Sequence, residues 1–114
     1  MERKFNKLVR DNIPDIIASN GDKLVTRILE DDEYKAELYK KLLEEANEVI
    51  DSKGSNTTLE ELADVLEILK AIAELSGKKL EDIIEMANQK RLKRGGFQKR
   101  IFLEKTYSKE DIVR

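Results

Sequence analysis

LLEEANEVI at residues 42–50 and, beyond SKGSNTT at 52–58, LEELADVLEIL at 59–69 decide how this chain folds. Both repeat apolar residues at the three-and-four spacing of a helix that packs along one side. At about 100° per residue, Tyr34, Leu38, Leu42, Leu43, Ala46, Val49 and Ile50 sweep one half of the first helix. Glu45 projects inside that half, roughly 20° from Tyr34, and Glu48 stands just past its edge. In the second helix Leu62, Val65, Leu66, Ile68, Leu69, Ile72, Ala73 and Leu75 cover a still wider arc. Glu61 points between Ile68 and Ile72, and Asp64 borders the arc beside Leu75.

Each helix therefore sets one acid within its apolar face and another three residues on, where side chains are neighbours. Burying an unpaired carboxylate costs several kcal/mol or forces its protonation, and gathering four raises that cost. Lys41 and Lys70 lie only at the borders of the arcs, so a hard divalent cation is the natural partner. Mg²⁺ or Mn²⁺ takes oxygen ligands and keeps positions for water and phosphate. Against this stands an ordinary alternative, in which Thr58 with Glu61, or Thr57 with Glu60, forms a capping box. Caps of that kind leave Glu45, Glu48 and Asp64 unexplained. Glu44, Glu60, Glu67 and Glu74 read as solvated.

Working outward, Asp11 or Asn12 is placed to cap a helix over about 13–19, with Pro14 in its first turn and Asn20-Gly21 closing it. Helical patterns span about 32–51, 58–76 and 80–94. KLVTRIL (23–29) and FQKRIFLEK (97–105) are rich in strand formers, and are expected to pair as a small two-stranded β element. Ser108 and Asp111 suggest a last capped turn. The expectation is a mainly helical single domain over 1–114.

Composition excludes a good deal. With 22 basic and 24 acidic residues among 114, the net charge is −2, so no basic field for a nucleic-acid polymer exists. With 39% hydrophobic residues the chain can bury a core. There is no cysteine and no histidine, which removes thiol chemistry, imidazole ligands and histidine bases. Any metal must be held by oxygen. No apolar run of signal or membrane-span length occurs, so the expected setting is the cytoplasm, with no membrane partner.

EEANE at 44–48, then 12 residues, then ELAD at 61–64 resembles the EExxE…ExxD signature of the MazG-like all-α nucleoside triphosphate pyrophosphohydrolases. KLVRDNIPDII (7–17) and KRGGF (93–97) look like the opening and closing segments of a house-cleaning subgroup, so the resemblance covers nearly the whole chain. It implies a MazG-like bundle of about four helices, working as a homodimer or higher homo-oligomer. The activity implied is Mg²⁺-dependent hydrolysis of a nucleoside triphosphate, non-canonical ones included, to the monophosphate and pyrophosphate. Related activities are phosphoribosyl-ATP or dUTP hydrolysis. A non-catalytic helical interaction module is the rival of a different class.

Carried over by motif, Glu45, Glu48, Glu61 and Asp64 are metal ligands, with Mg²⁺ or Mn²⁺ as cofactor. Such an ion polarises a phosphoryl group and acidifies water, so the missing histidine is no obstacle. Glu48 is the choice for taking the water's proton, and Glu44 for orienting that water. Lys7, Arg10, Lys90 and Arg94 supply cations for the triphosphate, while Lys90 to Arg94 also suit a helix C-terminus on electrostatic grounds alone. Phe97 and Tyr34 are candidates for stacking on a base.

Overall fold

The computed structural model describes residues 1–108, which hold four helices and no strand. They are α1 (Ile13–Ser19), α2 (Asp31–Ser52), α3 (Thr58–Leu75) and α4 (Leu80–Arg94). The helical expectations agree with these bounds to within a residue or so. The chain forms two compact units, Met1–Ile83 and Ile84–Arg114. No described helix is long and apolar enough to cross a membrane. The expected capped turn at Ser108 and Asp111 runs beyond the described residues.

In the first unit, α1 opens with Asn12 at its N-cap, although the Asn12 side chain makes no capping bond. Its backbone is already helical, at φ −90° and ψ −3°. Pro14 has no N–H to offer, and the Ile13 N–H is taken by the Arg10 carbonyl at 3.1 Å. The stop is as expected: the Asn20 N–H reaches the Ile16 and Ile17 carbonyls, and Gly21 turns away at φ +93°.

α2 and α3 pack on each other, the short connection 53–57 folding α3 back along α2. Lys53 ends α2 in the left-handed region. In the turn, Ser52 Oγ donates to the Val49 carbonyl at 2.6 Å and shares a hydrogen bond with Thr58 Oγ1 at 2.8 Å. Ser55 Oγ and Thr57 Oγ1 are likewise linked, at 2.9 Å. These hydroxyls tie the turn together instead of capping α3, whose N-cap Thr57 makes no side-chain capping bond. The capping boxes with Glu60 and Glu61 do not form, which leaves Glu61 for other use. α3 ends in a Schellman motif: Lys78 N–H bonds the Ala73 carbonyl, Gly77 N–H bonds that of Glu74, and Gly77 sits at φ +70°. α4 starts with the Asp82 carboxylate accepting the Lys79 N–H at 2.9 Å.

The seam between α2 and α3 is thin. Leu38 is 2% exposed, Ala73 and Glu45 are the other buried residues, and Tyr34, Leu42, Ala46, Val49, Val65, Ile68 and Ile72 are half-buried. The apolar arcs read from sequence are wider than the covered seam. Leu43 and Ile50 on α2 and Leu62, Leu66 and Leu69 on α3 remain exposed, the last three as one stripe at i, i+4 and i+7.

The two-stranded β element is a correction. Neither 23–29 nor 97–105 forms a strand, and Val25, Ile28, Ile101 and Phe102 are nearly fully exposed. A two-stranded ribbon is marginal in water without a face to bury. Local interactions also oppose it. Arg27 forks both guanidinium nitrogens onto Glu33 in the first turn of α2, at 3.1 and 2.9 Å, and Arg100 takes φ +58° in a turn closed onto the Phe97 carbonyl.

Candidate metal centre

The seam places two turns of α2 against the first two turns of α3, and with them the acids. Carboxylate oxygens of Glu45, Glu61 and Asp64 all lie within 4.8 Å of one another, and those of Glu44, Glu45 and Glu48 form a second such group. Glu45 belongs to both. It is 8% exposed, Glu44, Glu61 and Asp64 are half-buried, and Glu48 is exposed. All five acids singled out in the sequence are thus brought together, including Glu44, which the helical count set further outward.

Among the described residues, two buried carboxylate oxygens lack a hydrogen-bond partner. Glu45 Oε2 and Glu61 Oε2 are sealed from solvent and accept no hydrogen bond. Orphaned buried carboxylate oxygens are costly and call for an explanation, and a cation is the one the chemistry suggests. A hard divalent ion takes oxygen ligands, so a group made wholly of carboxylates suits one.

Basic residues supply part of the compensation. Lys41 Nζ lies 3.7 Å from Glu44 and 3.7 Å from Glu45, with only 15% of its side chain exposed. This partner is missed by placing Lys41 at the edge of the apolar arc, yet its i, i+3 and i, i+4 spacing from the two acids was a usable signal. Lys7 Nζ reaches Glu44 at 3.8 Å, and Arg10 Nη2 donates to Asp64 Oδ1 at 2.7 Å. Lys7 and Arg10 therefore join the acidic cluster directly.

Lys90 and Arg94 stand exposed on α4 in the unit that begins at Ile84, with Arg91, Lys93 and Arg94 completing the favourable charge of the last turn. Phe97 is 96% exposed, and Tyr34 is half-buried against the seam.

Burial pushes the Glu45 carboxyl above its ordinary value of 4.5; the adjacent Glu48 carboxyl adds to the shift, Lys41 opposes it, and Asp64 adds again. Glu61 is raised as well, first by desolvation, then by Glu48 and Asp64. The folded state thus holds protons on these acids more tightly than the unfolded chain does. The stability they lend is fully present below pH 4.5 and is lost as pH rises through the raised values. Glu33, lowered by Arg27, acts in the opposite sense as pH falls, but it is exposed and weak. In metal-free buffer the melting temperature is expected to fall from pH 5 toward neutrality. Glu45→Gln should flatten that fall and hold or raise the melting temperature at pH 7.5. A clear drop in the variant at pH 7.5 would show that the Lys41 pair outweighs the crowding.

Comparison of the chain with protein-family models, with curated proteins and with solved structures returns no match.

Proposed function

We propose that the chain is a metal-dependent nucleoside triphosphate pyrophosphohydrolase of the MazG-like type, a single domain over 1–114. In this reading it cleaves non-canonical triphosphates to the monophosphate and pyrophosphate, a house-cleaning role in the cytoplasm. The observation that carries it is the buried Glu45, which has one oxygen without a hydrogen-bond partner and whose carboxylate groups with those of Glu61 and Asp64 at a helix seam. The signature running through the same residues, with KLVRD and KRGGF at either end, supports the same reading.

Glu45, Glu48, Glu61 and Asp64 would hold Mg²⁺, or Mn²⁺ in its place. Bound there, the ion supplies Lewis-acid polarisation of the phosphoryl oxygens and a more acidic water. The remaining work falls to the side chains. Glu48, the exposed acid of the group, takes the water's proton as the water oxygen bonds to phosphorus and the bridge between the α- and β-phosphates breaks, releasing monophosphate and pyrophosphate. Glu44, fixed by Lys7 and Lys41, orients the water. Lys7 and Arg10, ion-paired with Glu44 and Asp64, are candidates for the charge of the triphosphate, as the sequence motif also makes Lys90 and Arg94. The exposed stripe Leu62, Leu66 and Leu69 supports a homodimer or higher oligomer.

That stripe also favours a second reading, a non-catalytic helical interaction module, and metal separates the two. Under the hydrolase reading, Mg²⁺ at about 100 times its dissociation constant stabilises by about 2.7 kcal/mol. In a chain of this size that raises the melting temperature by roughly 10 °C, and chelation reverses it. An interaction module with solvated acids shows no Mg²⁺-dependent shift.

A further inference from the structure

The five clustered carboxylates are not equally available to an ion. Glu45 and Glu61 each present a buried oxygen with no partner, while Asp64 Oδ1 is already engaged by Arg10 at 2.7 Å. The three neighbouring cations differ as well. Lys41 is held between Glu44 and Glu45 with 15% of its side chain exposed, and Lys7 reaches Glu44 at 3.8 Å. Among the described residues, Arg10 alone sits on an acid of the Glu45, Glu61 and Asp64 group from outside the two helices, and 56% of its side chain is exposed. Its contact is a single nitrogen to a single oxygen.

Resting on the metal-dependent reading above, we propose that Arg10 is an exchangeable counter-ion. It covers Asp64 until a divalent cation takes that carboxylate, and is then released to grip the phosphates of the incoming triphosphate. An exposed one-point ion pair is weak, so its rupture opposes metal binding only slightly. The freed guanidinium carries five donors in a planar fork that matches phosphate oxygens, and it stays anchored just ahead of α1 beside the cluster. Metal loading thus creates part of the substrate site, and the order is metal first, triphosphate second.

The proposal makes the two affinities move in opposite directions when Arg10 is changed. Mn²⁺ titrations by calorimetry on wild type, Arg10→Gln and Arg10→Lys, without nucleotide, read the first. Arg10→Gln should bind Mn²⁺ roughly threefold more tightly, because its competitor is gone. Titration of an α,β-methylene triphosphate at saturating Mn²⁺ reads the second, and Arg10→Gln should bind it roughly tenfold or more weakly. Arg10→Lys keeps the competing charge without the fork, so its Mn²⁺ affinity should stay near wild type while its triphosphate affinity falls.

Equal or weaker Mn²⁺ binding by Arg10→Gln overturns the proposal, since a merely structural arginine would weaken both affinities. Unchanged triphosphate binding also overturns it. Either result leaves the metal-dependent reading standing if wild type binds Mn²⁺. Failure of wild type to bind Mn²⁺ at all overturns both.

Discussion

Glu45→Gln and Asp64→Asn are each expected to lower Mg²⁺-dependent pyrophosphate release by about 1000-fold, most of it in kcat. Both changes keep shape and remove an anionic ligand. Metal stabilisation of developing phosphoryl charge is worth several kcal/mol, and about 4 kcal/mol corresponds to three decades at 1.36 kcal/mol each. Glu45 has the larger structural stake, being shared by both carboxylate groups and 8% exposed. Glu44→Gln, acting through water and its two lysines, should cost less, roughly 10- to 100-fold. Glu60→Gln, on the exposed side of α3, should leave the rate near wild type. Full activity in both Glu45→Gln and Asp64→Asn would remove these acids from the chemistry.

Leu38→Ala is expected to destabilise the protein by about 3 kcal/mol. Leu38 is 2% exposed and is the one large side chain fully buried among the described residues. It sits on the face of α2 that carries Lys41 and Glu45, one and two turns further along, so its loss empties the seam that holds the acids together. Against a typical domain stability of about 5–15 kcal/mol, this is a large fraction. Urea unfolding should show a lower midpoint with an unchanged slope. Leu43→Ala and Ile50→Ala, at 66% and 64% exposed, should cost well under 1 kcal/mol within one chain. A larger, concentration-dependent loss there would place these side chains in a contact between copies.

The helices were legible because their signals are local. Apolar spacing defines α2 and α3, Pro14 and Asn20-Gly21 bracket α1, and Gly77 and Gly95 take left-handed backbone at the ends of α3 and α4. The acids were legible for the same reason: Glu45 and Glu61 interrupt apolar arcs, and each has a second acid three residues on. Missed features depend on partners that periodicity does not reveal. Strand propensity at 23–29 and 97–105 had no face to pack on, and Arg27 found Glu33 instead. The threonines at the start of α3 bonded across the turn rather than capping. Arg10 and Asp64 meet across 54 residues of sequence, a contact that no local pattern encodes.

In the proposed function, this acid-lined seam uses a divalent ion to open a triphosphate between its α- and β-phosphates. Product analysis of wild-type protein with Mg²⁺ and a panel of normal and modified nucleoside triphosphates tests it most directly. At least one triphosphate is expected to yield monophosphate and pyrophosphate, and chelation to stop the reaction. Cleavage of no triphosphate, or release of diphosphate and inorganic phosphate instead, would contradict it.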